Sequence, residues 1–389
     1  MNTQEVIMVH LSERELELPD AVIANLLKLA SEDKDVISIS AGEPNFDLPA
    51  FLQAALKKLP KTCNHYAPPG GRKDLKELLL KKLEKDNGII AAPENIIVTA
   101  GSQEAILLGA MCSLDIGEQV ILPDPGFMGY LPCFELLHAV PVALPLLESD
   151  GFSINPDVLS NLIDKKRTKV IMLNTPSNPT GTVLSKKILE EIADIVVENN
   201  VYVFSDEAYE HIVYDQPHIS IGSLNGMEDY TVSLYTFSKS YAMCGFRVGY
   251  AVGPKPLIDA MTKAHIYTTL SAPNPSQMLA KEALGMPRKY IQQMVDDYRK
   301  RRDFLVRRLC QMGLPTLNPE GAFYTFSNIQ DYSTHSFKFA GTLLKKAQVA
   351  VVPGREFGRY GEGYIRCSYA TKMEQIAAAM ERLEKFLHH

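Results

Sequence analysis

The sequence predicts an α/β protein, with a large domain built on a mostly parallel central sheet flanked by helices and a smaller α+β domain. Three observations predict it. Between about residues 96 and 251, short apolar runs alternate with helix-like stretches. The runs are unbroken and are bounded by Gly, Pro, Asn and Asp, which is typical of strands buried on both faces. After about residue 285, longer amphipathic stretches flank a few short strands.

Five apolar runs predict the strands of the large domain. They lie at residues 96–98, 120–122, 170–173, 201–204 and 248–251. Strands of this kind need helices on both faces of the sheet, and the intervening stretches supply them. The large domain is predicted to span residues 46–284.

The small domain is predicted from both ends of the chain. A basic amphipathic helix is followed by short strands near residues 323–326, 349–352 and 364–366. A last helix places four apolar residues on one stripe: Ile376, Met380, Leu383 and Leu387. We expect a helix near residues 21–30 to join this domain, which then comprises residues 1–45 and 285–389.

Composition and charge argue against a nucleic-acid-binding role. Of 389 residues, 46% are hydrophobic and 22% are charged, as in a protein with a large buried core, and the formal net charge is -6. A nucleic-acid-binding surface is normally basic. The clearest basic run, residues 299–302, falls in a segment with helical periodicity and is predicted to be a solvated helix face.

Cysteine spacing and hydropathy indicate the compartment. The six cysteines, at positions 63, 112, 133, 244, 310 and 367, lack the paired spacing of metal or redox sites, so we expect reduced thiols and no metal. The first 18 residues have no apolar core of a signal peptide, and no apolar stretch is long enough to cross a bilayer. The sequence predicts a cytoplasmic protein. The terminal pair His388 and His389 is given no role.

Ligands of open parallel sheets bind at the carboxyl ends of the strands, so the polar residues that follow the apolar runs are the candidate site residues. After residues 96–98, Gly101 lets the backbone approach a ligand, Ser102 can cap the next helix, and free N–H groups favour an anion. After residues 170–173, a turn rich in Pro and Gly presents Asn178 as a hydrogen-bond donor. Each block alone also suits an ordinary cap or turn.

Two further blocks carry charged residues. Asp206 follows the run at residues 201–204, where a carboxylate needs a partner; it is either the N-cap of a next helix or a charge beside a protonated ligand nitrogen. Lys239 lies among hydroxyl residues after a strand, and lysine forms Schiff bases with carbonyl cofactors. Thr236 and Arg247 can bind a phosphate on either side of it. Together the four blocks describe a pocket for pyridoxal 5′-phosphate.

The chain resembles the class I and II aminotransferases, which are pyridoxal-phosphate enzymes of fold type I. The resemblance covers nearly the whole chain, in order and spacing. Its blocks lie at residues 41–47, 65–71, 178–181, 206–209, 238–239, 245–249, 321–324, 352–354 and 365–369. The family implies a homodimer with shared active sites, in which Tyr66 reaches the phosphate of the neighbouring subunit.

The resemblance also implies a role for each candidate residue. Lys239 would form the Schiff base and then carry the proton between the substrate Cα and the cofactor. Asp206 would keep the pyridine nitrogen protonated, Asn178 and Tyr209 would bind the ring oxygen, and Phe127 would stack on the ring. Lys239, Asp206 and Tyr209 are the implied catalytic residues.

The resemblance also implies residues that bind two anionic groups, the phosphate of the cofactor and the α-carboxylate of the substrate. The implied phosphate contacts come from the turn and the flanking residues Gly101, Ser102, Gln103, Thr236 and Arg247. Arg366 would grip the substrate α-carboxylate bidentately, with Asn178 and the backbone of Gly42 beside it. The implied reaction moves an amino group from an L-amino acid to a 2-oxo acid, with ping-pong kinetics.

The preferred substrate is left open. Some aspartate-preferring relatives carry a lysine where this chain has Gln103, which weighs against strict aspartate preference. We expect broad specificity for alanine, aromatic or other apolar amino acids, or for aspartate whose side-chain carboxylate is bound by residues other than a lysine at position 103. An apolar side-chain pocket could be lined by four aromatic residues: Tyr324, Phe127, Tyr66 and Tyr267.

Two alternatives to an aminotransferase are weighed. A C–S β-lyase or related amino-acid lyase would use the same pocket, because a fold does not fix the reaction. A non-catalytic, pyridoxal-phosphate-binding module of a transcription regulator would follow a DNA-binding domain. The aminotransferase pattern already begins near residue 19 and the chain is acidic, so we do not expect such a module.

Overall fold

The computed structural model describes residues 35–388. The predicted helix near residues 21–30 lies outside the described residues. Within them, the chain forms a seven-stranded sheet, a three-stranded sheet and a separate pair of strands, with helices packed around all three.

The strands, in chain order, are β1 (Ile37–Ser38), β2 (Ile96–Thr99), β3 (Gln119–Asp124), β4 (Val140–Pro145), β5 (Thr168–Asn174), β6 (Tyr202–Asp206), β7 (Thr231–Thr236), β8 (Gly249–Val252), β9 (Tyr324–Asn328), β10 (Val349–Ala350), β11 (Val352–Pro353) and β12 (Tyr364–Ser368).

The α-helices, in chain order, are α1 (Ala50–Leu56), α2 (Lys73–Lys82), α3 (Ser102–Ser113), α4 (Tyr130–Glu135), α5 (Pro156–Leu162), α6 (Lys186–Asn199), α7 (Lys255–Thr268), α8 (Asn274–Leu284), α9 (Lys289–Gln311), α10 (Ser336–Ala347) and α11 (Met373–Leu387).

The seven-stranded sheet has the order β2-β8-β7-β6-β5-β3-β4. All neighbours run parallel except β8, which is antiparallel to both β2 and β7. The mostly parallel sheet is thus confirmed, and each of the five predicted runs is a strand. β4 was not among them, because Pro141 and Pro145 interrupt its pattern. Proline is tolerated there because β4 is an edge strand.

Burial on both faces explains the unbroken apolar runs. In β5, Val170 and Met172 belong to one core cluster with Leu108 of α3, and Ile171 belongs to another with Ile192 of α6. Successive side chains of a strand point to opposite faces, so helices on both sides require an apolar residue at every position.

The C-terminal part of the chain has its own core. β11, β12 and β9 form the antiparallel three-stranded sheet, and β1 pairs in parallel with β10. The predicted stripe of the last helix is confirmed: Ile376, Met380 and Leu383 are buried, and Leu387 packs against the same cluster. The domain boundary at residue 284 stays a prediction.

The predicted solvated face of the basic run is wrong at one position. Arg302 is buried, with its guanidinium 4.6 Å from the centre of the Tyr214 ring. It donates to Asp215 at 2.8 Å and to the carbonyl of Pro319 at 3.0 Å. Four consecutive residues span more than a full helical turn, so one of them must face the core.

Long apolar helices and metal-ligand clusters are both lacking in residues 35–388. In this part of the chain, no helix is both long enough and apolar enough to span a membrane, and no cluster of His, Cys, Asp and Glu has the arrangement of a metal site. All six cysteines fall within it and are free.

Candidate active site

A cavity of about 330 Å³ opens at one edge of the seven-stranded sheet, where β5, β6 and β7 end and β8 begins. Eleven of the predicted site residues line it: Gly42, Ser102, Gln103, Phe127, Asn178, Asp206, Tyr209, Thr236, Lys239, Arg247 and Arg366. Tyr324 lines it as well, whereas Tyr66 and Tyr267 lie outside it and are 82% and 83% exposed.

The antiparallel direction of β8 brings Arg247 to this edge. The first residue of β8, Gly249, pairs with Thr99 and with Thr236, the last residues of β2 and β7. Arg247 therefore reaches the turn at Gly101, where Nη2 contacts the carbonyl of Ala100 at 3.4 Å. A Cβ on Gly101 would lie 2.6 Å from Nη2 of Arg247, and its φ of +89° also favours glycine.

The expectation that Ser102 caps α3 is wrong. Gly101 occupies the N-cap position, and no side chain of that residue can accept a hydrogen bond. Instead, the Glu104 carboxylate accepts the N–H of Ala100 at 2.5 Å. This bond fixes the turn before the helix and leaves the first N–H groups of α3 free, and Ser102 faces the cavity at the start of the helix. This turn, with Arg247 and the free N–H groups of α3, forms an anion cradle.

Lys239 lies in the turn after β7, half-buried and beside two aromatic rings. Nζ donates to the carbonyl of Gly42 at 2.5 Å. The same nitrogen lies 5.8 Å from the ring centre of Tyr209 and 5.9 Å from that of Phe323. The amine is therefore held inside the cavity, which it shares with the carboxylate of Asp206.

Asp206 ends β6 and is buried. Oδ2 accepts a 2.7 Å hydrogen bond from the hydroxyl of Tyr130, and Oδ1 accepts the N–H of Ala208 at 3.2 Å. Burial raises the pKa of Asp206 to about 6, although these hydrogen bonds work in the opposite direction. Turns rather than a helix follow it, so the alternative that Asp206 is an N-cap is wrong.

Asn178 is fixed by the end of β5. Its N–H donates to Oδ1 of Asn174 at 2.7 Å, and Nδ2 of Asn174 donates to the carbonyl of Asp206 at 3.0 Å. Oδ1 of Asn178 accepts from Nη1 of Arg366 at 2.9 Å. The amide is thus oriented from both sides, and its Nδ2 is the group left to face a ligand.

Arg366 is a buried cation on β12. Nη2 donates to the carbonyl of Ser40 at 2.7 Å, and the guanidinium lies 4.3 Å from the ring centre of Tyr324. Burial lowers the pKa of this guanidinium, which nonetheless stays charged. Among residues 35–388, it makes no ion pair, and Nε has no hydrogen-bond partner. A buried charge that contacts only neutral oxygens is costly unless an anion joins it.

Tyrosines complete the cavity wall. The hydroxyls of Tyr209 and Tyr324 are 2.8 Å apart, and burial raises the pKa of Tyr209. Phe127 packs edge-to-face on Tyr130, with ring centres 5.3 Å apart. Tyr130 was missed by the sequence analysis. The signal that could have found it is its place three residues after Phe127, with Gly126 and Gly129 marking a turn that brings the two rings together.

The arrangement therefore has four chemical parts. An anion cradle lies at Gly101 and Arg247, an amine at Lys239, and a buried acid at Asp206. A cation without an anionic partner lies at Arg366. A flat ligand with a phosphate, an aldehyde and a ring nitrogen can meet the first three, and a carboxylate can meet the fourth.

Comparisons with known proteins agree with this arrangement. A family profile described as "Aminotransferase class I and II" matches residues 34–383. The chain is 42% identical to an aspartate aminotransferase of Pyrococcus abyssi, over 94% of this chain and 95% of that one. It is 40% identical to aromatic-amino-acid aminotransferase 2 of Thermococcus litoralis, over 97% and 98%. A crystal structure of an aromatic aminotransferase from Pyrococcus horikoshii OT3 superposes with a TM-score of 0.89, at 43% identity, over 94% and 98%. The fold expected from the resemblance is confirmed.

Proposed function

The chain belongs to the class I and II aminotransferase family, and from this premise we propose that it is pyridoxal-phosphate-dependent and works in the cavity at the edge of the seven-stranded sheet. Its reaction moves an amino group from an amino acid to a 2-oxo acid. We further propose that the residues lining the cavity have the roles that the resemblance implies.

The residues present fit the cofactor. Gly101, Ser102 and Arg247 would hold its phosphate, and Thr236 faces the same end of the cavity. Asp206 would hold its ring nitrogen, and Lys239 would hold its aldehyde carbon. When bound, pyridoxal phosphate supplies an electron sink for the bonds of the substrate Cα.

The observation that carries the proposal is the buried charge of Arg366. Among the described residues, its hydrogen bonds go only to neutral oxygens, its other close neighbours are the rings of Tyr324 and Phe357, and Nε is unpartnered. A substrate α-carboxylate would supply the missing anion and form two parallel hydrogen bonds. Substrate binding then orients Cα towards Lys239, because both groups line the same small cavity.

Lys239 acts as the acid–base group. With the cofactor bound, Nζ of Lys239 in its free-amine form would move the proton at the substrate Cα. The contact of Nζ with the carbonyl of Gly42 keeps this amine in the cavity. Asp206 would supply a negative charge to the ring nitrogen, and the hydroxyl of Tyr130 orients that carboxylate.

Broad substrate specificity is part of the proposal. The named relatives include enzymes for aspartate and for aromatic amino acids. Among the described residues lining the cavity, the cations are Lys239, Arg247 and Arg366, and each has a proposed role. The other lining residues include Gln103, Met128 and further neutral groups. Donors with neutral or aromatic side chains, such as alanine and phenylalanine, fit this lining, and aspartate would need a cation from elsewhere.

We also propose a cytoplasmic homodimer with shared active sites. The free cysteines favour a reducing compartment. Tyr66 is 82% exposed and lies outside the cavity of its own chain, as a residue lent to a neighbouring subunit must.

A panel of amino donors with 2-oxoglutarate or pyruvate tests the proposal. We expect each good donor to yield its 2-oxo acid only when an acceptor is present, and Lys239→Ala to lose both turnover and the absorbance of bound cofactor. Lys169→Ala, which removes a half-exposed lysine outside the cavity, is the matched control. Release of ammonia and pyruvate without an acceptor would establish the lyase instead, and full turnover by Lys239→Ala would refute the site.

A further inference from the structure

A carboxylate and an imidazole form a buried pair directly behind the anion cradle. Glu104 lies in the first turn of α3, and His265 lies in α7. Nε2 of His265 is 3.2 Å from Oε2 of Glu104. The His265 side chain has no exposed surface, and that of Glu104 is 12% exposed. Neither residue lines the cavity, and no step proposed above uses them.

Glu104 holds the cradle turn from behind. Oε2 accepts the N–H of Ala100, the residue before Gly101, and Oε1 accepts the hydroxyl of Thr269 at 2.7 Å. Burial alone raises the pKa of Glu104, but the nearby His265 ring and the hydrogen bonds of Ala100 and Thr269 outweigh it and lower the pKa. The carboxylate is therefore ionised at neutral pH.

His265 joins this turn to a second segment. Nδ1 lies 2.8 Å from the carbonyl of Pro69, and since a carbonyl can only accept, Nδ1 carries the proton. Pro69 follows Tyr66 in the segment at residues 65–71, whose other end is tied to α8 through the hydrogen bond of Asn274 to the carbonyl of His65. One buried ring thus contacts both the cradle turn and the Tyr66 segment.

The charges of the pair suit a phosphate site. An ionised carboxylate in the first turn of α3 occupies the same helix N-terminus that a phosphate needs, and two anions there repel each other. His265 and Thr269 lie against the two oxygens of Glu104 on the side away from the cavity, so this charge sits behind the cradle and does not line the cavity. Arg247 approaches the turn from the other side, towards the cavity, and remains available to the phosphate.

We propose that Glu104 and His265 are positioning residues that fix the phosphate-binding turn and the Tyr66 segment together, and so make the chain select a phosphorylated cofactor. This inference rests on the proposed cofactor site. It predicts a loss of cofactor affinity that depends on the phosphate group. General loosening of the fold predicts no such dependence.

The test compares the binding of pyridoxal phosphate and of pyridoxal, which lacks the phosphate, to cofactor-free protein. For Glu104→Gln and for His265→Gln, we expect the affinity for pyridoxal phosphate to fall about tenfold and that for pyridoxal to stay unchanged. Inorganic phosphate should compete with the cofactor correspondingly less well. The absorbance of the bound cofactor follows each titration, and thermal unfolding checks the fold.

Glu362→Gln is the matched control. This carboxylate also accepts two backbone N–H groups, of Ser336 at 2.6 Å and of Gly363 at 3.2 Å, but it does not line the cavity. For Glu362→Gln, the ratio of the affinities for pyridoxal phosphate and for pyridoxal should equal that of the wild type. The double variant at Glu104 and His265 should lose less than the two single losses combined, because the residues act on each other.

Other results would overturn the inference. Equal losses of affinity for pyridoxal phosphate and for pyridoxal would leave the ratio of the two affinities unchanged. The pair would then be merely structural and have no role in phosphate binding. If His265→Gln does not fold, Glu104→Gln decides alone, since its side chain is isosteric and reaches solvent. A wild-type protein that binds neither cofactor would instead refute the proposed function.

Discussion

Nη1 of Arg366 donates a 2.9 Å hydrogen bond to Oδ1 of Asn178, a residue 188 positions earlier in the chain. Arg366 lies on β12 of the three-stranded sheet, and Asn178 follows β5 of the seven-stranded sheet. The group proposed to bind the substrate carboxylate is therefore in direct contact with the group proposed to bind the cofactor ring. Occupation of one site orients the other.

Arg366→Lys should test the carboxylate site. Lysine keeps the charge but cannot make two parallel hydrogen bonds, nor hold Asn178 and the carbonyl of Ser40 together. We expect kcat/KM for an L-amino acid to fall roughly ten- to a hundredfold. Arg355→Lys, outside the cavity, is the control. An amine that lacks the carboxylate should react equally slowly with wild type and variant, and an unequal loss for it would assign Arg366 another role.

Tyr130→Phe should weaken catalysis through Asp206. The variant removes the 2.7 Å hydrogen bond that the tyrosine donates to Oδ2, so the pKa of Asp206 rises further. We expect kcat to fall about tenfold, with little change in KM, and the acidic limb of its pH profile to move to higher pH. Tyr364→Phe removes a similar bond to Glu148, at 2.9 Å and outside the cavity, and should change neither. An unmoved pH profile in Tyr130→Phe would contradict this role.

Asp206→Asn should stabilise the cofactor-free protein at alkaline pH while abolishing transamination. The folded pKa, about 6, is above the ordinary value of 3.8, so the folded state binds the proton more tightly than the unfolded state. Ionised Asp206 therefore lowers the free energy of unfolding of the wild type above pH 6. This destabilisation disappears as the pH falls towards 4. Urea unfolding should show a difference of about 2 kcal/mol at pH 8 that shrinks at pH 4. A difference independent of pH would point to packing instead.

Tyr66→Phe should weaken cofactor binding in a way that another subunit can repair. In a hybrid dimer with Lys239→Ala, the chain that keeps Lys239 receives the intact Tyr66 of its partner. We expect the homodimeric Tyr66→Phe protein to lose about tenfold in cofactor affinity, and the purified hybrid to bind at one site with wild-type affinity. Sedimentation should give a dimer throughout. A hybrid as weak as the Tyr66→Phe homodimer would place Tyr66 in its own chain's site.

The sequence predicted the sheet well because burial on both faces leaves a local mark. The run at residues 170–173 needs an apolar side chain at each position, and this does not depend on the rest of the fold. Strand direction leaves no such mark, so β8 could not be recognised as antiparallel. β4 was missed because edge strands accept prolines that central strands exclude.

The candidate site was predictable where chemistry restricts the residue type, and not elsewhere. Lys239 and Asp206 were found because an amine and a buried carboxylate directly follow strands of the sheet, whereas Arg366 was found only through the family resemblance. Tyr130 escaped notice because a buried tyrosine looks like ordinary core, and its hydrogen bond depends on tertiary packing. Glu104 was hidden for the same reason, since a carboxylate in the first turn of a helix looks like a surface residue in sequence, and its bond to the N–H of Ala100 depends on the folded turn.

The reversed direction of β8 has a mechanical consequence. Because β7 and β8 are adjacent and antiparallel, the chain passes from one to the other through a single loop, and both Lys239 and Arg247 belong to it. The groups proposed to grip the aldehyde end and the phosphate end of the cofactor are thus eight positions apart on one hairpin. Local opening of that hairpin would break the contacts of both Lys239 and Arg247 with the cofactor at once. Hydrogen exchange of the hairpin amides should therefore slow together when the cofactor binds.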